Sequence, residues 1–519
     1  MTIPLLSAAI AACGTLHPHW TLLAWYNTVM EIDRHARDVG KTDAMAVTGR
    51  DQTAGVAPMR GLPSVDRVLS HPGLQAARGE LPHDLLVLAI RQELDRLRSA
   101  LTTHSPVDIS PDEIASNAAS LARLMSSPSL RPAINATGVI IHTNLGRAPL
   151  SKAAVEAITN LARYSNLEFD LEEGQRGSRY VHAVQVLRRV AGCEDALVVN
   201  TNAAALVLVL AALGQDREVV VSRGQLVEIG GGFRIPDIMR QSGARLVEVG
   251  TTNRTYLSDY EAATTDQTAL LLRVHASNFR LVGFTTSPTV EELATLAHRD
   301  GLLMVDDVGS GALLDTTRYG LSPEPQVQAS LQAGADLVLF SGDKLLGGPQ
   351  CGIIAGKGEI VARLRKHPLA RALRVDKLTL GALEATLLHY LKGEAEREVP
   401  VWRMIAATPE QLRARATAWA EELSRRGLEC RVEEGLSTVG GGSLPGDMLP
   451  TFLLAMAPNP GGDTTNPTRQ AGEWATRLRQ APTPVVARVE KGLLVIDPRT
   501  VAEGEVPPLL DALTSTAKN

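Results

Sequence analysis

From about Asn135 onward the chain alternates short runs rich in Val, Leu and Ile with segments long enough to form a helix. The runs are "DALVVN", "REVVVS", "ARLVEVG", "TALLLRVH", "GLLMVDDVG", "ADLVLFSG" and "CGIIAG". Strands this apolar have to be covered, and helix-length connections bring the chain back to the same end of the sheet before each new strand. The pattern predicts a largely parallel sheet flanked by helices, a large α/β domain over residues 129–395. In such a sheet ligands collect beyond the carboxyl ends of the strands.

At 519 residues the chain exceeds what one hydrophobic core usually supports, so further domains are expected. "LPHDLLVLAIRQELDRLRSAL" and "SPDEIASNAASLARLMS" repeat their apolar residues at helical spacing, with Ser110 and Asp112 as start signals for the second helix. They predict a small helical domain over 59–128. After residue 395 an amphipathic helix, "TPEQLRARATAWAEELSRRGL", precedes "ECRVEE", the glycine-rich "STVGGGSLPGD" and "PVVARVEKGLLVID". These predict a smaller α+β domain over 396–519. Residues 1–58 carry no clear periodicity; they read either as a mis-called extension ahead of a start at Met59 or as a poorly ordered tail.

An apolar fraction of 44%, charged residues at 21% and no apolar run of the roughly 18 to 20 residues that cross a bilayer predict a soluble globular chain. The net charge of -5 provides no global basic field, so nucleic-acid binding would depend on a local patch. Cys13, Cys193, Cys351 and Cys430 form no CxxC pair, which argues against a zinc site or a disulfide framework and for a reducing cytoplasm. No Lys or Arg precedes the short apolar run near the start, so export is not expected.

Three motifs imitate known sites and fail on inspection. "SGDK" (Ser341–Lys344) has the SxxK spacing of serine β-lactam enzymes, but the SDN-like and KTG elements do not follow. "DVGSGALL" resembles a dinucleotide-binding loop, yet Leu314 stands where close helix packing needs glycine. "GIIAGKGE" lacks the spacing and the Ser or Thr of a phosphate-binding P-loop.

Pyridoxal phosphate (PLP) makes better sense of the same segments. It needs a lysine, a carboxylate facing its pyridine nitrogen, and a phosphate cradle at a helix N-terminus with hydroxyls. "LVVNTNAAALVLVLAALG" supplies a strand, a turn and a helix whose backbone N–H groups at Thr201, Asn202 and Ala203 lie at the positive end. "LLMVDDVGSG" puts two acids at a strand's carboxyl end; Asp307, which leads the DxGSG pattern, is the choice for the ring nitrogen, with Asp306 the alternative. Lys344 follows the next strand, with Ser341 as a phosphate hydroxyl and glycines that permit close backbone approach.

The motifs "INATGVIIHTNLGRAPLS", "NLEFDLEEGQRGSR", "VNTNAAA", "EIGGGFRIPDIM", "VGTTNRT", "VHASNFRLVGFT", "VDDVGSG" and "FSGDKLLGGPQCGIIAGK" together resemble the bacterial selenocysteine synthases, L-seryl-tRNA(Sec) selenium transferases, from about Leu62 to near the C-terminus. The resemblance implies the PLP-dependent transferase fold type I, aspartate-aminotransferase-like, with Lys344 binding the cofactor. It implies conversion of L-seryl-tRNA(Sec) to L-selenocysteinyl-tRNA(Sec), by loss of the serine hydroxyl through an aminoacrylyl intermediate and addition of selenium from selenophosphate. The amine of Lys344, freed by substrate, is then the natural base for the α-proton.

By the same resemblance Arg147, Arg371 and Arg374 bind the substrate anion, Arg371 and Arg374 sharing a face if helical. Asp343 assists proton transfer or caps its loop, and His275 contacts cofactor or substrate or packs in the core. The helical domain is expected to grip tRNA, although Arg60, Arg67, Arg78, Arg91, Arg96 and Arg98 are nearly matched by acids. The family also implies a cytoplasmic homo-oligomer, a homodecamer built from dimers. Two rivals stand: a PLP-dependent lyase of the same superfamily acting on a small amino acid or amino-sugar acid without tRNA, and a non-catalytic tRNA-binding scaffold. The helical domain speaks against the first, the intact lysine, carboxylate and cradle against the second.

Overall fold

The computed structural model describes residues 61–103, 107–230, 232–457 and 466–517, so the extension over 1–58 and Met59 lie outside the described residues. The chain divides into two compact units between Arg131 and Pro132. Among the described residues no helix is long and apolar enough to cross a membrane.

The first unit is helical, led by α1 (His83–Thr102) and α2 (Pro111–Ser126). Leu86, Ile90, Leu94 and Leu97 recur on one face of α1 and bury with Ile114, Ala118 and Ala122 of α2. Ser110 starts α2 by accepting from the Glu113 N–H at 3.4 Å, with Pro111 in the first turn. The one buried acid among the described residues of this unit, Glu93, is neutralised by Arg96, whose Nε and Nη2 both donate at 2.7 Å, and accepts from Asn117 at 3.1 Å.

The second unit opens with β1 (Ile134–Asn135) and β2 (Val139–Ile141). Then follow β3 (Asp195–Val199), β4 (Glu218–Ser222), β5 (Arg245–Val249), β6 (Thr268–Val274), β7 (Leu303–Gly309), β8 (Leu337–Ser341) and β9 (Gly352–Gly356). These seven form one sheet in the order β3-β9-β8-β7-β6-β4-β5. All pairings are parallel except those of β9, which runs antiparallel to β8 and β3. The connection Gly342–Cys351 is too short for a crossover helix, so the chain has to turn back on itself. Because β9 is flanked on both sides by reversed pairing, β3 and β8 still point the same way. The carboxyl ends of β3, β4, β6, β7 and β8 therefore meet along one edge.

One face of this sheet buries Val198, Leu271, Met304, Phe340 and Ile353, and the other Leu197, Val219, Leu270, Val305 and Leu339. Adjacent residues alternate between the two, which is why each strand is apolar throughout.

The C-terminal part forms a second sheet from β10 (Arg431–Gly440), β11 (Met448–Met456), β13 (Arg488–Glu490) and β14 (Leu493–Ile496), with β2 joined parallel to β10; β1 pairs with the short β12 (Val485–Val486). β2, which follows the helical unit in sequence, thus completes a sheet made otherwise from the last ninety or so residues. Asp497 ties them together. Fully buried, it accepts from Ser437 Oγ at 2.7 Å, Thr451 Oγ1 at 3.0 Å and the Arg499 N–H at 3.0 Å. The Arg499 guanidinium donates in turn to the carbonyls of Met404, Ala407 and Pro450. Asp497→Ala would strand two buried hydroxyls and remove the charge nearest a buried guanidinium, so chemical denaturation should show a loss of about 3 kcal/mol.

Candidate active site

At the carboxyl end of β3 the chain turns into α3 (Asn202–Leu213). Thr201 caps it, Oγ1 accepting from the Ala204 N–H at 3.1 Å and the carbonyl from the Ala205 N–H at 3.0 Å. The N–H groups of Asn202 and Ala203 have no partner within the helix by its geometry, and they lie at the positive end of its dipole. β9 passes directly beneath: a methyl on Gly352 would sit 2.1 Å from the Thr201 carbonyl oxygen, so only glycine lets the strand approach.

β7 sends its two acids to opposite sides by strand alternation. Asp306 is bound by Arg273 on the neighbouring β6, Nη1 donating to both carboxylate oxygens at 2.9 and 3.1 Å. Asp307 points to the other side and accepts a neutral hydrogen bond from Asn202 Nδ2 at 2.8 Å. Burial pushes its carboxyl up to about 6, opposed by Asn202 and the Lys344 charge.

Lys344 follows β8 and is 6% exposed. Burial pushes its ammonium down; the carboxylate of Asp307 pulls it back up, and the guanidinium of Arg147 pushes it down further. The adjacent Asp343 takes an ion pair from Arg147, Nη1 to Oδ2 at 2.7 Å, and its carbonyl accepts from the Ala148 N–H at 3.3 Å. Arg147 adopts φ 64°, a left-handed conformation that a non-glycine residue adopts at a cost, and here the ion pair holds it. His275 follows β6 and gives its backbone N–H to the Asp307 carbonyl at 2.9 Å. Burial, with Arg273 and Lys344 adding, pushes its imidazole down to about 4, so it is neutral at physiological pH.

Lys344, Asp307, Asn202, Thr201, His275, Asp343 and Arg147 thus converge, and Ser341 lies buried at the end of β8, paired with Gly352. The two remaining arginines are arranged otherwise than a shared helix face. Arg371 is exposed on the short helix α4 (Pro368–Ala372), which ends before Arg374. Arg374 lies beyond it, bridged to Val199 of β3, while the Asn200 N–H donates to the Leu373 carbonyl at 2.9 Å. Arg374 is therefore placed beside the cradle turn by pairing with β3 rather than by helical periodicity.

Sequence motifs did not single out Ser310, Glu324 or Ser443, which lie at the site beside the expected Asn202 and His275. Buried side-chain atoms without a hydrogen-bond partner include Asn202 Oδ1, His275 Nδ1, Ser310 Oγ, Glu324 Oε1 and Ser443 Oγ. Buried polar groups are normally satisfied, so a cluster of orphans around one amine marks a place shaped for a polar ligand. The glycine turn after β10 also reaches in: a methyl on Gly442, where φ is +83°, would lie 2.9 Å from Lys344 Nζ. The turn is fastened to the connections that follow β6 and β7 by Asp447, which accepts from the Ser322 N–H at 2.6 Å and pairs with Arg280 at 2.5 Å.

The set fits pyridoxal phosphate: an amine for its aldehyde, a carboxylate free of cationic partners for its ring nitrogen, and open N–H groups for its phosphate.

The family pattern described as L-seryl-tRNA selenium transferase matches residues 133–502, and that described as selenocysteine synthase N terminal matches residues 59–98. The chain is 48% identical over 461 residues to an L-seryl-tRNA(Sec) selenium transferase of Moorella thermoacetica, covering 88% of this chain and 96% of the relative. An L-seryl-tRNA(Sec) selenium transferase of Geobacter sulfurreducens is 46% identical over 464 residues, covering 88% and 98%. Among solved structures, D-glucosaminate-6-phosphate ammonia-lyase superposes with a TM-score of 0.53 at 22% identity, covering 76% of this chain and 97% of that one. The fold is the PLP-dependent fold type I, preceded by a helical N-terminal region.

Gly442→Ala forces a strained φ and places a methyl against the reactive amine. Titration of the purified protein with pyridoxal phosphate should show affinity for the lysine-bound form falling by about tenfold or more, while thermal unfolding changes little.

Proposed function

Because the chain belongs to the L-seryl-tRNA selenium transferase family, we propose that it converts L-seryl-tRNA(Sec) to L-selenocysteinyl-tRNA(Sec) with selenophosphate as the selenium donor. It is a transferase of a PLP-dependent fold. The observation that carries the reading at the site is the buried Lys344 amine set opposite Asp307, with the open start of α3 beside them.

Bound there, pyridoxal phosphate would supply an electron sink that makes the α-proton of the seryl group acidic. Thr201, Asn202, Ala203 and Ser341 would hold the phosphate, and Asp307, oriented by Asn202, would hold the proton of the ring nitrogen. Lys344 Nζ, its ammonium disfavoured by burial, is an amine ready to accept the α-proton. Neutral His275 would contact the cofactor or the substrate without adding charge. Arg147, with Asp343 as its anchor, and Arg371 and Arg374 would receive the anionic selenium donor, for which planar guanidinium groups are suited.

The tRNA would be gripped through phosphates by the helical unit. There Arg96 and Arg98 are occupied by Glu93 and Asp95, whereas Arg67, Arg78 and Arg91 are exposed with no acidic partner among the described contacts. Self-association belongs to the same reading, and Leu281, Val282 and Phe284 present apolar surface that a second copy would cover. Cys193, Cys351 and Cys430 are free thiols, as suits a reducing cytoplasm.

The decisive assay offers seryl-tRNA(Sec) with selenophosphate against free serine. Selenocysteinyl-tRNA(Sec) should form only from the charged tRNA; turnover of free serine alone would instead establish the lyase reading. Lys344→Ala should abolish both the absorbance of lysine-bound cofactor and turnover.

Arg371→Ala and Arg374→Ala test the donor site separately. Each should raise the KM for selenophosphate by roughly tenfold, the value of one lost charged hydrogen bond, with a smaller change in KM for tRNA.

A further inference from the structure

We infer that Glu324 is the acid that protonates the hydroxyl as it leaves the β-carbon of the seryl group. The role rests on the reaction proposed above. Glu324 sits in the proline-flanked segment "SPEPQ", which no motif marks. Its side chain is 2% exposed, and its Oε1 lies 3.9 Å from Nδ1 of His275, both atoms lacking a hydrogen-bond partner. Burial pushes the carboxyl up to about 6; the Leu444 N–H and the Lys344 charge oppose the shift, and Asp447 adds to it. Lys344 feels the Glu324 carboxylate in turn.

The chemistry requires such a group. Hydroxide is a poor leaving group at neutral pH, so the departing oxygen has to take up a proton. The other candidates around Lys344 are committed: Asp306 to Arg273, Asp343 to Arg147, and Asp307 to Asn202 and the ring nitrogen. His275 is already neutral, and Lys344 is occupied with the α-proton. Glu324 is the remaining buried acid, with an oxygen left unpartnered. In the step, the α C–H bond breaks and its proton goes to Lys344 Nζ, while its electron pair becomes the new bond between the α- and β-carbons. The pair of the breaking C–O bond goes to oxygen, which takes the Glu324 proton and departs as water. Nothing is oxidised or reduced, and the Glu324 carboxylate regains a proton before the next turnover.

The test replaces serine on tRNA(Sec) by 3-chloroalanine, whose chloride leaves without a proton. Glu324→Gln keeps the shape and removes the acid, so it should slow the seryl substrate by about 100-fold while the chloroalanyl substrate stays within about threefold of wild type. Glu324→Asp should restore part of the seryl rate. With wild type, the seryl rate should fall as pH rises through the Glu324 titration, and the chloroalanyl rate should not. Equal slowing of both substrates, or of neither, overturns the role. Infrared titration of the cofactor-free protein gives a second readout: Asp307 and Glu324 both lose a protonated-carboxyl band near pH 6, and in Glu324→Gln that loss should shrink to the contribution of Asp307 alone. An undiminished loss in the variant overturns the inference. Wild-type silence toward seryl-tRNA(Sec) would sink the proposed reaction and this role together, whereas active wild type with both substrates equally slowed in Glu324→Gln sinks the role alone.

Discussion

A primary amine kept out of water at the carboxyl edge of a parallel sheet sets the terms for everything around it. Lys344 is 6% exposed, and a buried ammonium is expensive, so the groups near it must either compensate the charge or let the amine be neutral. The structure sets opposing fields on the amine. Asp307, Asp343 and Glu324 favour the proton, while burial and Arg147 disfavour it. Burial, the largest of these influences, lowers the cost of leaving the amine neutral, the form in which an amine can attack a carbonyl or accept a proton.

That balance depends on a part of the chain remote in sequence. The turn Gly440–Ser443 closes over Lys344, and its position follows from β10, whose far neighbour is β2. The Asp497 and Arg499 network fixes that sheet, and Asp447 clamps the turn to Ser322 and Arg280 in the connections that follow β7 and β6. The glycines are needed because a side chain at Gly442 would occupy the space of the amine itself. Stability of the small sheet and reactivity of the lysine are therefore coupled through one turn.

Much of this was legible in the sequence, and the rest was hidden for identifiable reasons. The seven strands showed as apolar runs because burial on both faces leaves no polar position. The places of Lys344, Asp307 and Thr201 at the carboxyl ends of strands were legible because each comes at the end of an apolar run or within three residues of it. The reversal of β9 was not read from its composition, although the short Gly342–Cys351 connection carried the signal. The helical face imagined for Arg371 and Arg374 failed because the Leu373 carbonyl bonds to Asn200 instead of continuing the helix. Glu324 and Ser443 could not be read locally at all: one lies in a loop between prolines and the other in a glycine turn, and only the tertiary fold brings them to the amine.

The division of labour between Asp306 and Asp307 shows how little sequence difference a site needs. The residues are adjacent and chemically identical, yet the pleat sends them to opposite faces of β7. On one face Arg273 projects from the register-paired position of β6 and takes both oxygens of Asp306. On the other, Asp307 meets the amide of Asn202, which orients a carboxylate without neutralising it. A carboxylate already paired with guanidinium would gain little from a cationic ring N–H, whereas one held by a neutral amide in a buried site gains much, because no guanidinium is bonded to it. The choice of partner on each face, arginine against asparagine, is thus what makes one of two neighbouring aspartates structural and leaves the other free for a cofactor.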